Sequence, residues 1–175
     1  MKNIKKFLID VVEVIAVSLI IVFLLFKFVM ISAEVDGRSM EKTLYTGDRG
    51  VSLVIKRNMG INRFDICVID TDKADYLLVK RVIGLPNETI EYKNNALYVN
   101  GVEYEEDFLY KGCYTADLKI ELGDDEYLCL GDNRMISKDS RYYGPFNGDE
   151  IKSTGYFVFY PFERMGVKKW VSTKI

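Results

Sequence analysis

The sequence predicts a mainly β fold: one N-terminal transmembrane helix, then a folded antiparallel sheet, barrel-like in character. Two observations carry this reading. An apolar stretch runs from about Phe7 to Ile31, and the chain after Ala33 breaks into short runs rich in Val, Ile, Tyr and Phe separated by turn residues. The length of 175 residues adds a third, because it suits one compact domain behind such a helix.

The helix comes first. Asp10, Glu13 and Lys27 interrupt the apolar stretch, so its cleanest window is Val14–Ala33, twenty residues with one charge. At ~1.5 Å of rise per residue that window covers ~30 Å, the thickness of a bilayer core. Lys27 can snorkel to one interface, while Asp10 and Glu13 sit at the other. Lys2, Lys5 and Lys6 precede the span with no acid among them, which puts the N-terminus in the cytoplasm and the body outside. A cleaved signal peptide would want a small residue at the −3 place, where Ile31 stands before Ser32 and Ala33. The expected organisation is a cytoplasmic N-terminus over 1–6, an anchor over 7–33 and an extracytoplasmic domain over 34–175.

Strands are expected at Gly50–Lys56, Asp65–Asp70, Tyr76–Ile83, Thr89–Tyr92, Leu97–Val99, Tyr127–Leu130 and Gly155–Tyr160. Asn94-Asn95 and Asn100-Gly101 are hairpin turns, since Asn and Gly tolerate the positive φ such turns require. The acidic stretch 103–126 reads as a solvated surface insertion. With no long helical periodicity after residue 33, the body is antiparallel sheet folded on itself to protect its edges.

Composition excludes several chemistries. There is no histidine, which removes Ser-His-Asp and Cys-His catalysis and every imidazole metal site. No metal and no cofactor are expected. Net charge is −2, from 24 basic and 26 acidic residues, so no basic field points to nucleic acid. Cys67 and Cys129 read as small buried strand residues, and a Cys113–Cys129 bridge is allowed but not required by the spacing.

Without imidazole, a nucleophile must be activated by another group. Two serines stand in polar loops: Ser39 in Asp36-Gly37-Arg38-Ser39-Met40, and Ser137 within Gly131–Gly144. Lys80 is the unusual amine. Strand alternation places it on one face with Leu78 and Val82, and Arg81 on the other with Val79 and Ile83. A lysine on an apolar face loses hydration, which lowers its pKa and suits it to general-base work near neutrality. The same pattern also fits a lysine snorkelling from a half-buried strand. In Gly131–Gly144, Asp132/Arg134 and Asp139/Arg141 are opposite charges two apart that can brace a loop.

These residues match a family pattern. Gly37-Arg38-Ser39-Met40-Glu41-Lys42-Thr43-Leu44, continuing into Thr46-Gly47-Asp48, is followed in order by Lys80-Arg81-Val82-Ile83-Gly84-Leu85-Pro86-Asn87-Glu88. Leu97-Tyr98-Val99-Asn100-Gly101 comes next, then Gly131–Gly144 in the pattern GDNRxxSxDSRxxG, then Tyr160-Pro161-Phe162-Glu163-Arg164-Met165-Gly166. From residue 1 to about 166 the chain resembles a short-form type I bacterial signal (leader) peptidase, a membrane-anchored serine–lysine protease.

The resemblance implies Ser39 as nucleophile, Lys80 as general base and Ser137 as the hydroxyl that orients the amine. It implies that Asp139, Arg141, Asp132 and Arg134 brace the loop, and that the backbone N–H of Ser39 serves the oxyanion hole. Some members place a serine two residues before the nucleophile as a second donor; Gly37 stands there, so that donor must lie elsewhere. Lys42 occupies a place where the family usually has Pro, and Asn87-Glu88 replaces the family's Gly-Asp.

The implied partners are exported precursors cleaved after small residues in an Ala-X-Ala pattern, together with the lipid bilayer; the protein is expected to act as a monomer. The implied location is the cell membrane, single-pass, with an apolar surface around Ser39 resting on lipid. Ser39 lies eight residues beyond Ile31, so an extended tether of ~3.3 Å per residue reaches at most ~26 Å. A self-cleaving repressor-type protease would need a DNA-binding N-terminal domain and an Ala-Gly or Cys-Gly dipeptide, and neither dipeptide occurs. A non-catalytic relative that assists assembly of surface structures should lack one member of the dyad.

Overall fold

The computed structural model describes residues 2–168. Helix α1 (Lys2–Val29) passes directly into strand β1 (Met30–Glu34). Within α1, Ile4–Leu24 is a 21-residue stretch long and apolar enough to cross a membrane, and the rest of the chain does not bury it. The side chains of Lys2 and Lys27 lie outside the described residues, as do residues 169–175 of the expected outer domain. Met30–Ala33 falls inside the window read as anchor but is strand. Its residues pair one for one with β2 (Arg49–Leu53), from Met30 opposite Leu53 to Glu34 opposite Arg49. The sheet therefore takes the backbone hydrogen bonds that a helix would have used. The extended tether is thus absent: helix runs into sheet, and Ser39 follows β1 by five residues.

Beyond β2 come α2 (Val54–Asn58), β3 (Ile66–Ile69), β4 (Leu78–Gly84), β5 (Thr89–Lys93), β6 (Ala96–Val99) and β7 (Val102–Tyr104). They are followed by β8 (Leu118–Glu121), β9 (Glu126–Leu130), α3 (Ser140–Tyr143), β10 (Phe146–Asn147), β11 (Ile151–Tyr160) and β12 (Gly166–Lys168). Val54–Lys56, expected as strand, is helical. The partner strand β11 shifts register between Thr154 and Tyr156, opposite the end of β2, so the chain beyond Leu53 loses its ladder and coils.

The larger sheet runs β1-β2-β11-β3-β4-β9-β10, with β12 added to β11, and curls into a half-barrel. The smaller sheet runs β7-β6-β5-β8. Its hairpins turn where expected: Asn94 and Asn95 have φ of 51° and 65°, and Asn100 and Gly101 of 50° and 80°. Ile90, Tyr92, Leu97 and Val99 of the small sheet pack against Ile83, Leu128 and Leu130 of the large one and against Phe64, just before β3. A second cluster holds Cys67, Leu78, Val82 and Cys129, and a third gathers Val35, Met40, Leu44, Ile66, Tyr156 and Val158.

The acidic stretch 103–126 is not a solvated insertion. Leu118–Glu121 pairs with β5, and Phe108, Cys113, Thr115 and Leu122 are buried. Most of its acids face solvent, Glu106 being buried against Arg134, while its sparse apolar residues close the core between the sheets. Charge density concealed that second face.

One buried ion pair joins β4 to the loop after β9. Arg81 Nε and Nη2 donate to the Asp132 carboxylate at 2.8 and 2.7 Å, with both side chains removed from solvent. Removing one partner leaves a buried charge uncompensated, a loss of about 3–5 kcal/mol. Asp132→Ala is therefore expected to lower stability by that amount in denaturant unfolding of the detergent-solubilised protein. Glu34→Ala, which breaks the solvent-exposed pair with Arg49, should leave the midpoint nearly unchanged.

Candidate active site

The turn carrying Ser39 is held from both ends. Before it, Gly37 at φ 106° gives its N–H to Thr46 Oγ1, which in turn donates to the Gly37 carbonyl. After it, Met40 and Leu44 plunge into the third cluster, and the Leu44 and Thr43 amides both bond the Met40 carbonyl. Ser39 itself stays partly exposed between these anchors.

Strand β4 supplies the amine. Lys80 lies opposite Cys67 on β3, with Leu78 and Val82 on the same side in the second cluster. Its residue exposure is 4%, which excludes the snorkelling alternative. Lys80 Nζ sits 2.7 Å from Ser39 Oγ. Burial lowers the lysine pKa below its usual 10.5, against an opposing pull from the Asp139 carboxylate and smaller ones from its other neighbours. Amine and hydroxyl thus meet at the hydrogen-bonding distance that proton transfer needs.

The loop 131–144 closes the other side. Its Asn133 amide donates to the Ser39 carbonyl at 2.9 Å, tying the loop to the turn that carries Ser39. Burial alone would raise the Asp139 pKa; bonds from Arg141 and from the Gly131 amide outweigh it and hold the carboxyl below its usual value. Arg141 also donates to the Arg134 carbonyl, so the Asp139–Arg141 pair braces the loop as the spacing suggested.

The other expected pair does not form. Asp132 binds Arg81 and Thr43, while Arg134 binds Glu106, Tyr92 and Thr115. Unlike Asp139 and Arg141 at the same spacing, these two each found a partner across the fold. Burial works against the Arg134 guanidinium, but Tyr92 and Glu106 more than offset it and raise its pKa. Ser137 reaches the site without bonding the amine. Its Oγ is buried, makes no well-formed hydrogen bond among the described residues, and lies near enough to Asp139 to favour the ionised carboxylate.

Three participants had no role assigned from sequence. Arg81 is 1% exposed and also donates to the Phe64 carbonyl and to Thr43 Oγ1, so it links β4, the nucleophile turn and Asp132. Its placement beside Val79 and Ile83 on an apolar face was the available signal. Thr43 and Glu106 carried none. The three cysteines are free: Cys67 and Cys129 approach to 3.8 Å between sulfurs, while Cys113 contacts the Asp132 carbonyl instead of Cys129. Among the described residues no acidic or thiol cluster is arranged to hold a metal ion.

Comparison with known proteins gives the family of the chain. The family model described as signal peptidase, peptidase S26 matches residues 8–160. The chain belongs to the signal peptidase family. It is 35% identical over 182 aligned positions to signal peptidase IB of Staphylococcus aureus N315, covering 90% of this chain and 92% of that protein. Signal peptidase I P of Bacillus subtilis subsp. natto is 36% identical over 176 positions, covering 94% and 95%. A crystal structure of a signal peptidase I from Enterococcus faecalis V583 superposes with TM-score 0.50 at 32% identity, over 54% of this chain and 96% of that one. The protein is accordingly a serine peptidase that removes signal peptides, and a non-catalytic assembly factor is not favoured.

Gly131 offers a test of this packing. A Cβ there would lie 2.3 Å from Ser137 Oγ and 2.5 Å from the Ser39 carbonyl oxygen. Gly131→Ala must therefore push the loop and Ser39 apart. A shift of about 1 Å at reacting groups costs roughly 10²-fold, and precursor cleavage by Gly131→Ala is expected to fall on that scale.

Proposed function

We propose that Ser39 is the nucleophile and Lys80 its general base, the observation carrying this being the 2.7 Å contact between a serine hydroxyl and a buried amine. Neutral Lys80 takes the Ser39 proton as Oγ attacks the scissile carbonyl. The resulting ammonium then protonates the leaving amine, and water attacks the acyl-enzyme with Lys80 again as base. The Ser39 amide donates to the oxyanion; it makes no hydrogen bond among the described residues, which leaves it free for that purpose. One such donor is worth ~10²–10³ in rate. Asp139 and Arg141 hold the loop against the dyad, Asp132 holds it to β4, and Arg134 fastens it to the small sheet. Ser137, whose buried Oγ makes no well-formed hydrogen bond among the described residues, is the hydroxyl that orients the amine.

The substrates are exported precursors with small residues at the −3 and −1 places. Helix α1 anchors the enzyme as a single span with the N-terminus inside and residues 34–175 outside, and the protein works as a monomer. Lys5 and Lys6 before the apolar stretch support the orientation. The direct passage from α1 to β1 supports a site held close to the membrane, where a precursor's leader leaves the bilayer. Met135 and Ile136, 66% and 54% exposed on the loop that binds the Ser39 carbonyl, support an apolar rim facing lipid.

Processing of a precursor by the full-length enzyme tests the dyad. Ser39→Ala and Lys80→Ala are each expected to abolish cleavage above background, and normal turnover by either would refute the assignment. The pH profile gives a second check with a definite sign. The active form carries a neutral amine, so activity rises with pH through the Lys80 ionisation. Because burial lowers that pKa, the rise should come below 10.5, as one basic step.

A further inference from the structure

The stretch read from sequence as a surface insertion touches every part of the site. We propose that Glu106-Asp107-Phe108 is a clasp that sets the mutual position of Ser39, Lys80 and the loop 131–141, with Glu106, Phe108 and Lys42 as positioning residues. This rests on the dyad reading above and adds what holds the dyad in register.

Three consecutive residues reach three different segments. The Glu106 carboxylate pairs with Arg134, and both side chains are almost wholly buried. Tyr92 OH donates to Glu106 Oε1 at 2.8 Å, and Arg134 Nη1 donates to Tyr92 OH and Thr115 Oγ1 at 2.8 Å each. Through Arg134, whose Nε donates to the Gly131 carbonyl, Glu106 grips the loop at the residue nearest Ser137 and Ser39. The Asp107 carbonyl accepts from Lys42 Nζ at 2.6 Å, so the next residue grips the nucleophile turn three positions past Ser39. The Phe108 ring lies 4.2 Å beneath the Arg81 guanidinium, so the third residue rests on the neighbour of Lys80.

Chemistry distinguishes these grips. Glu106–Arg134 is a buried charge pair whose remaining polar atoms are occupied, so it fixes a geometry that a lone pair would not. Phe108 covers the flat face of a guanidinium whose edge is already committed to Asp132, Thr43 and the Phe64 carbonyl. Lys42 is the exposed member. Its ammonium bonds a carbonyl of the clasp and so supplies by hydrogen bond a restraint that the family pattern supplies by proline. A substitution there leaves the core untouched, which makes Lys42 the residue on which positioning and folding can be told apart.

The test uses the full chain in detergent with a precursor substrate, measuring kcat, KM, the pH midpoint and the unfolding temperature. Lys42→Met is expected to lower kcat about threefold to tenfold, the scale of one lost solvent-exposed hydrogen bond of ordinary net strength, with KM and unfolding temperature unchanged. Lys42→Arg restores kcat. Glu106→Gln is expected to lower kcat further and to move the pH midpoint upward, because a loosened loop admits water to Lys80. Unchanged kcat in Lys42→Met would overturn the clasp, as would a change confined to KM. So would a Glu106→Gln loss that follows unfolding temperature with the pH midpoint fixed. Should Glu106→Gln fail to fold, the Lys42 pair decides alone. Cleavage by Ser39→Ala would instead overturn the dyad, a result that the clasp variants cannot mimic.

Discussion

The Arg81–Asp132 pair is the constraint on which the site depends. An arginine and an aspartate withdrawn from solvent cost more to desolvate than their attraction returns unless every remaining donor is used. Here all three guanidinium nitrogens are engaged: besides Asp132 they serve Thr43 Oγ1 and the Phe64 carbonyl, and the face rests on Phe108. Those partners come from the nucleophile turn, the strand entry and the acidic stretch. Satisfying one buried charge therefore forces four separated segments together.

That assembly explains how two adjacent basic residues on β4 take opposite roles. Arg81 meets a carboxylate and neutral acceptors. Lys80, one residue along, turns to the other face, where the second cluster removes its hydration and no carboxylate bonds its amine. Asp139 acts on it only at a distance and is itself engaged by Arg141 and the Gly131 amide. The same strand thus keeps one cation and discourages the other. Period-two alternation is what separates them.

The membrane helix and the sheet are equally coupled. Because β1 begins where α1 ends and pairs along its whole length with β2, the first strand of the half-barrel is the continuation of the helix. The nucleophile turn follows that strand, so its distance from the end of α1 is set by paired backbone instead of a loose linker.

Much of this was legible in the residue order. The mainly β class followed from β-rich runs bounded by turn residues, and Asn94-Asn95 and Asn100-Gly101 gave both hairpins because positive φ is a local demand. Lys80 was visible as an amine between Leu78 and Val82, since alternation along a strand is also local. Ionic partnership was not local. Asp132 and Arg134, two apart, looked like a pair, yet each bonds a residue from elsewhere in the chain. Glu106 and Phe108 were hidden in an acidic stretch whose mean polarity masks a few inward-facing side chains. What the sequence alone determined was the inventory: a span, a β body, a serine and an amine with no imidazole to compete. Which charges meet, how dry the amine is and what holds Ser39 2.7 Å from it were decided only by tertiary structure. Burial and partner choice depend on contacts between residues far apart in the chain, which no local pattern records.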